Sequence, residues 1–188
     1  MSRQLFRAAV FGPRVSRRRR VSLVLIWTFL ATLLTWSLAS FARSVPTRVF
    51  LVPSNSMAPT IMAGDRVGVQ TFSSTRPKRG EIWVFHSPNS TSQVASIFVK
   101  RVIGLPGETI EVAGNQVLID GQAIHEPYLS TAMTYTLPVR KLGAEEYFML
   151  GDSRDSSQDS HVWGPLPGDR LIGPVTVRVW PIKRIGEL

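Results

Sequence analysis

Three stretches of the sequence hold side chains suited to chemistry. The first is Ser54-Asn55-Ser56-Met57-Ala58-Pro59-Thr60, stiffened by Pro53 and Pro59 and placed after the β-prone run Arg48–Val52. A hydroxyl on a rigid turn suits a nucleophile, because a small misplacement costs rate heavily. The same residues also fit a plain loop whose serines satisfy backbone groups. The second is Ile97-Phe98-Val99-Lys100-Arg101-Val102-Ile103. Strand alternation puts Phe98, Lys100 and Val102 on one face and Val99, Arg101 and Ile103 on the other. Lys100 is then the only charge on an apolar face. Desolvation there lowers a lysine pKa from its usual ~10.4 and leaves a neutral amine able to accept a proton. A lysine guarding an edge strand against aggregation has the same pattern. The third stretch, Gly151-Asp152-Ser153-Arg154-Asp155-Ser156-Ser157-Gln158-Asp159-Ser160-His161, is dense in short polar groups. Its acids lack the spacing and closing glutamate of an EF-hand calcium loop. Its hydroxyls could hold a lysine in register beside a nucleophile, or the stretch could be a solvated loop.

The elements that must position these groups follow from the rest of the chain. Of 22 Lys and Arg, seven lie in residues 1–20 and an eighth is Arg43, which leaves 14 against 13 Asp and Glu in residues 44–188. The net charge of +9 therefore belongs to the tail, and no basic surface for nucleic acid is expected on the folded part. With no cysteine, thiol chemistry and cysteine metal sites are excluded. His86, His125 and His161 are scattered without HExxH spacing, so neither metal nor cofactor is expected.

Val21–Ala42 is a 22-residue stretch without charge, about 33 Å long as a helix and sufficient to span a bilayer. Trp27 and Trp36 lie towards its ends, as interfacial aromatics do. Arg17–Arg20 hold the N-terminus in the cytoplasm by the positive-inside rule, placing residues 44–188 on the far side. A cleavable secretory signal is the competing reading, but its apolar region runs only about 7–15 residues. The expected organisation is a basic cytoplasmic tail (1–20), a transmembrane helix (21–42) and an exported domain (43–188).

Beyond Ala42 the apolar residues come in short runs broken by Gly, Pro, Asn and Asp, which predicts an all-β, antiparallel domain. Candidate strands are Arg48–Val52, Arg66–Phe72, Glu81–Phe85, Ser96–Ile103, Thr109–Val112, Gln116–Ile119, Gln122–Ile124, Tyr147–Leu150 and Leu171–Val179. Gly114-Asn115 and Asp120-Gly121 read as tight hairpin turns. No helix beyond the membrane segment is expected, and Ser153–Ser160 reads as loop.

SNSMAPTIMAGD (Ser54–Asp65), RGEIWVF (Arg79–Phe85), KRVIGLPGE (Lys100–Glu108) and GDSRDSSQDSHVWG (Gly151–Gly164), in that order behind an apolar segment, together resemble bacterial type I signal peptidase. The resemblance implies a serine endopeptidase that removes signal peptides from preproteins after Ala-x-Ala. Ser56 would be the nucleophile and Lys100 the general base. The Ser54 hydroxyl and the Ser56 N–H would form the oxyanion hole, and Ser157 would orient the lysine. Arg101 would pair with Asp152, and Asp159 would support the loop, with His161 standing where the family commonly has arginine. Phe50, Val52, Met57, Phe98 and Val99 would form the substrate pocket. A small second β subdomain is expected at about 106–146, without a disulfide. Preprotein signal peptides and membrane lipid are the implied partners, with Phe50 and Trp83 expected on an apolar rim near the bilayer. A bacterial plasma membrane is the expected location, and a thylakoid membrane the alternative.

Other readings have specific obstacles. A Ser-His-Asp hydrolase built on His161 and Asp159 lacks a G-x-S-x-G nucleophile motif. The self-cleaving repressor proteases share a Ser-Lys dyad but have no membrane segment. A non-catalytic anchored β module leaves a lysine on an apolar strand face unexplained.

Overall fold

The computed structural model describes residues 25–37, 48–71, 76–88 and 96–188. The chain divides into two compact units, Met1–Ser44 and Val45–Leu188. In the first, residues 25–37 form a helix (α1) whose surface is apolar all round, with Trp27, Phe29 and Trp36 all exposed. The hydroxyls of Thr28, Thr32 and Thr35 donate to the carbonyls three residues back, so they need no outside partner. Among the described residues no helix is long and apolar enough to cross a membrane. The remainder of the expected span, 21–24 and 38–42, lies outside the described residues, as does the tail 1–20.

The second unit is antiparallel β, as the short apolar runs predict. Its strands are β1 (Arg48–Leu51), β2 (Arg66–Val69), β3 (Ile82–His86), β4 (Ile97–Gly104), β5 (Thr109–Ala113), β6 (Gln116–Ile119), β7 (Gln122–Ala123), β8 (Leu137–Lys141), β9 (Glu146–Leu150), β10 (Leu166–Pro167), β11 (Leu171–Trp180) and β12 (Gly186–Glu187). The larger sheet runs β1-β2-β11-β3-β4-β9-β10, with β12 on β11. A smaller sheet, β7-β6-β5-β8, falls within residues 109–141. Its hairpins turn at Gly114-Asn115 and Asp120-Gly121, all four residues having positive φ as tight hairpin turns require.

The large sheet is buried on both faces along its centre. Ile82 and Val84 of β3 join a core with Val52, Met57, Ile61 and Val99, whereas Trp83 and Phe85 enter a second core with Val102, Tyr147 and Met149. A third core, beneath the small sheet, takes Phe148 and Leu150 from β9 with Ile110, Val112 and Val117. Trp83 is therefore interior, its indole N–H donating to Glu81 at 3.0 Å, and the expectation that it rims an exposed face is wrong. Its strand lies between β11 and β4, so alternation cannot separate an inward from an outward aromatic.

Several elements differ from the sequence expectation. Among the described residues, the two-residue strands β10 and β12 and three short 3-10 turns are too brief to show a period. β8 escapes the expectation because Leu-Pro-Val-Arg-Lys is an exposed edge strand with a proline and no buried alternation. Ser160–Trp163 forms one turn of helix (α2) capped by Asp159, whose carboxylate accepts the His161 N–H; four residues are too few to show a period.

Candidate active site

Ser56 sits on a loop stitched closed at its neck. Val52 N–H donates to Asp65 O at 2.9 Å and Gly64 N–H to Val52 O at 2.8 Å. Inside it, Asn55 Oδ1 accepts from Ala63 N–H, Asp65 Oδ2 accepts from Met62 N–H, and Met57 and Ile61 are driven fully into the core. Arg178 from β11 donates to Thr60 O at 2.7 Å, and Arg184 pairs with Asp65 at 3.1 Å. Short polar side chains and two apolar pins thus hold the serine still.

Lys100 comes from β4. β3 pairs along Ile97–Arg101, but β9 pairs only from Arg101 to Gly104, so the other edge of Ile97–Lys100 has no strand partner among the described residues. The Lys100 side chain donates from Nζ to Ser56 Oγ at 2.7 Å. It is 4% exposed, with the Phe98 ring 5.6 Å away. Burial lowers its pKa from 10.5 to about 8, with Asp159 and then Asp152 opposing the shift through their charges. Ser54 Oγ lies 3.3 Å from Ser56 Oγ. The Ser56 N–H is engaged by no backbone acceptor among the described residues.

The loop after β9 packs directly on the serine. Ser153 N–H donates to Ser56 O at 3.1 Å. A side chain at Gly151 would meet Ser157 Oγ at 2.2 Å and Ser56 O at 2.4 Å, so this close approach requires glycine. Gly151 N–H donates to Asp159 Oδ2 at 2.9 Å, and Asp159 Oδ1 lies 2.7 Å from His161 Nδ1. Asp152 receives both Nε (2.8 Å) and Nη2 (2.6 Å) of Arg101, plus the Thr60 hydroxyl at 2.5 Å. Arg101 also donates to Gly80 O at 2.7 Å, linking the RGE turn to the same brace. Arg79 makes a second fork onto Glu108, which ties RGE to GLPGE.

The structure brings Ser54, Ser56, Lys100, Arg101, Asp152, Ser157 and Asp159 together. Phe50, Val52, Phe98 and Val99 line a cleft of about 540 Å³ beside Ser56 and Lys100, to which Ser156 and Gln158 also contribute. Met57 does not line it; it is fully buried in the core behind. Ser157 makes no bond to Lys100 here, since its hydroxyl is buried without a partner among the described residues and Nζ donates to Ser56 instead. Sequence reasoning missed Glu126, Tyr128, Tyr135 and the role of Arg154. Glu126 and Tyr128 stand in a stretch with no periodicity, and their contacts reach 28 and 27 residues along the chain. The described residues contain no group of His, Asp and Glu that could hold a metal ion.

Residues 24–180 match the family model described as signal peptidase, peptidase S26. The chain is 43% identical over 143 residues to a signal peptidase I of Leptolyngbya laminosa, covering 73% of this chain and 70% of that one. It is 40% identical over 143 residues to a probable signal peptidase I-1 of Synechocystis, covering 73% of each. A crystal structure of a signal peptidase I from Enterococcus faecalis aligns with a TM-score of 0.50 at 29% identity, over 55% of this chain and all of that one. The chain belongs to the signal peptidase family, peptidase S26.

Proposed function

We propose that this member of the signal peptidase family is a membrane-bound serine endopeptidase that removes signal peptides from exported preproteins, with Ser56 as nucleophile and Lys100 as general base. The observation that carries the reading is the 2.7 Å contact between a buried lysine and a serine hydroxyl, with the lysine pKa near 8. At pH 8 about half of such lysines are neutral, against well under ~1% for a free lysine.

In the proposed reaction, neutral Lys100 takes the Ser56 proton as Oγ attacks the scissile carbonyl carbon. The carbonyl oxygen becomes an oxyanion that accepts from the Ser56 N–H and the Ser54 hydroxyl. The resulting Lys100 ammonium gives its proton to the leaving amine, the C–N bond breaks, and an ester to Ser56 remains. A water then gives a proton to Lys100 and attacks the ester; Lys100 returns the proton to Ser56 Oγ. An extended peptide fits along the open edge of Ile97–Lys100, where main-chain bonding would set register and side chains would enter the cleft. The apolar lining by Phe50, Val52, Phe98 and Val99 supports a preference for small side chains, as in Ala-x-Ala. Ser157 would join the lysine in the substrate complex, its buried hydroxyl being still uncommitted.

The membrane part of the reading is supported by the uncharged stretch 21–42 and by α1, apolar on every side with its threonines satisfied internally. It places 1–20 in the cytoplasm, 21–42 in lipid as a single span, and the domain from 43, with its small second subdomain at about 106–146, on the outer side of a bacterial plasma membrane.

The test uses the full chain in detergent or lipid with a preprotein. Ser56→Ala and Lys100→Ala should each abolish cleavage, and retained cleavage in either sinks the mechanism. Activity should rise about tenfold from pH 7 towards pH 9 as the ammonium with pKa near 8 is lost. A neutral optimum that disappears in His161→Gln would favour a histidine base instead.

A further inference from the structure

We propose that Tyr128 and Glu126 are positioning residues for the Ser56–Lys100 pair, acting through Arg101 and Arg154 on the loop that carries Asp152, Ser157 and Asp159; this rests on the reading of that pair as catalytic. Both residues stand on an irregular strap, residues 124–136, between β7 and β8. Ile124, Met133 and Tyr135 pin the strap onto the core of the small sheet. From that support its polar side chains reach across to the loop at 151–161.

Arg154 is the centre of the contact. It is fully buried, donating through Nε to Gly151 O at 3.1 Å and through Nη1 and Nη2 to the two oxygens of Glu126, whose side chain is 6% exposed. Tyr128 donates its hydroxyl to the same carboxylate, and its ring lies 3.9 Å from the Arg101 guanidinium carbon. Burial first, then the Glu126 hydrogen bond, holds the phenol well above its ordinary pKa, so it remains a donor. Two further contacts run in parallel: Thr134 N–H to Asp155 at 3.0 Å, and the Tyr135 ring stacked on His161 at 4.3 Å.

A buried ion pair stabilises little beyond what an apolar pair of the same shape would, so stability alone gives no reason for Glu126 and Arg154. What the arrangement supplies is geometry. One carboxylate fixes the arginine that grips Gly151 and the ring that backs Arg101, and Arg101 in turn forks onto Asp152. The loop is thereby clamped at both ends of Gly151-Asp152, next to the point where Gly151 touches Ser56 O. The acids acting on Lys100 are Asp159 and Asp152, the latter paired with Arg101. Loosening the clamp admits water beside Lys100 and leaves Asp152 less neutralised. Both changes favour the ammonium.

The experiment compares Tyr128→Phe with Tyr128→Leu in the full chain. One readout is the Lys100 titration by ¹⁵N-lysine NMR, its signal assigned from its absence in Lys100→Met. The other is the pH dependence of kcat and KM for preprotein cleavage. Tyr128→Leu should raise the Lys100 midpoint by about one pH unit and move the acid limb of kcat with it, a loss of about tenfold near pH 7 with KM little changed. Tyr128→Phe, which keeps the ring against Arg101 and loses only the bond to Glu126, should shift the midpoint by less than half as much. Should Tyr128→Leu not fold, the double change Glu126→Leu with Arg154→Met, which leaves no charge unpaired, carries the same expectation. An unchanged midpoint and kcat, a loss confined to KM or to thermal stability, or an equal loss in Tyr128→Phe overturns the proposal. Cleavage surviving Ser56→Ala would instead overturn the catalytic reading of the pair, while the Lys100 midpoint still decides the strap.

Discussion

Lys100 and Arg101 are adjacent cations on one strand, both buried, and the fold treats them in opposite ways. Arg101 faces a carboxylate in a two-pronged fork, a carbonyl and an aromatic ring, so its charge is matched on every side. Lys100 faces a neutral hydroxyl and the Phe98 ring, and its nearest acids act only at a distance. Alternation along β4 is what separates the two environments. The choice of residue follows: a guanidinium does not lose its proton and serves as a brace, whereas an amine shifts readily and can serve as a base.

Exchanging the two cation types attacks this contrast most strongly. Lys100→Arg retains a charge and a donor beside Ser56 but cannot accept a proton, so cleavage should fall on the order of 10⁴-fold, measured with a preprotein under single-turnover conditions. Activity near the parent level would show that Lys100 needs only its charge. Arg101→Met should act on stability: it strands Asp152 in the interior and should cost about 3–5 kcal/mol in urea denaturation at pH 7. Lys100→Met should do the reverse. Its amine has a folded pKa near 8 against 10.5 unfolded, so the unfolded chain binds more protons between those values and stability rises with pH across that window. The burden is therefore complete below pH 8, where the methionine variant should be more stable by roughly 3 kcal/mol, and should fade as pH approaches 10.5. A methionine variant no more stable than the parent at pH 7 would mean that Lys100 is hydrated enough to keep its proton.

Legibility from sequence follows the same division between local and distant causes. Gln116–Ile119 reads as a strand and is one, because both its turns and its alternation are local. Lys100 stands out because its own strand neighbours are apolar. The fork from Arg101 to Asp152 is visible only through the family motifs, since 51 residues separate the two. Glu126 and Tyr128 carry no local pattern, and nothing local marks Arg154 within its polar motif as their partner: the packing of the small sheet brings them together, and a Glu-Pro-Tyr looks like any turn. Met57 shows the opposite hazard. Its place beside Ser56 suggests a pocket wall, yet the loop needs an apolar pin and turns it inward.

The position of β11 in the large sheet has a consequence for the order of synthesis. Residues 171–180 lie between β2 and β3, so the strand leading away from the Ser56 loop and the strand that registers with Lys100 are joined only through a segment made after every catalytic group. A nascent chain that has already released Ser56, Lys100 and Asp152 still lacks the strand that joins β2 to β3 in the sheet beneath them. Arg178 of that piece also ties down Thr60. The proposed protease therefore stays unassembled until β11 has been made, and hydrolytic power arrives with that strand.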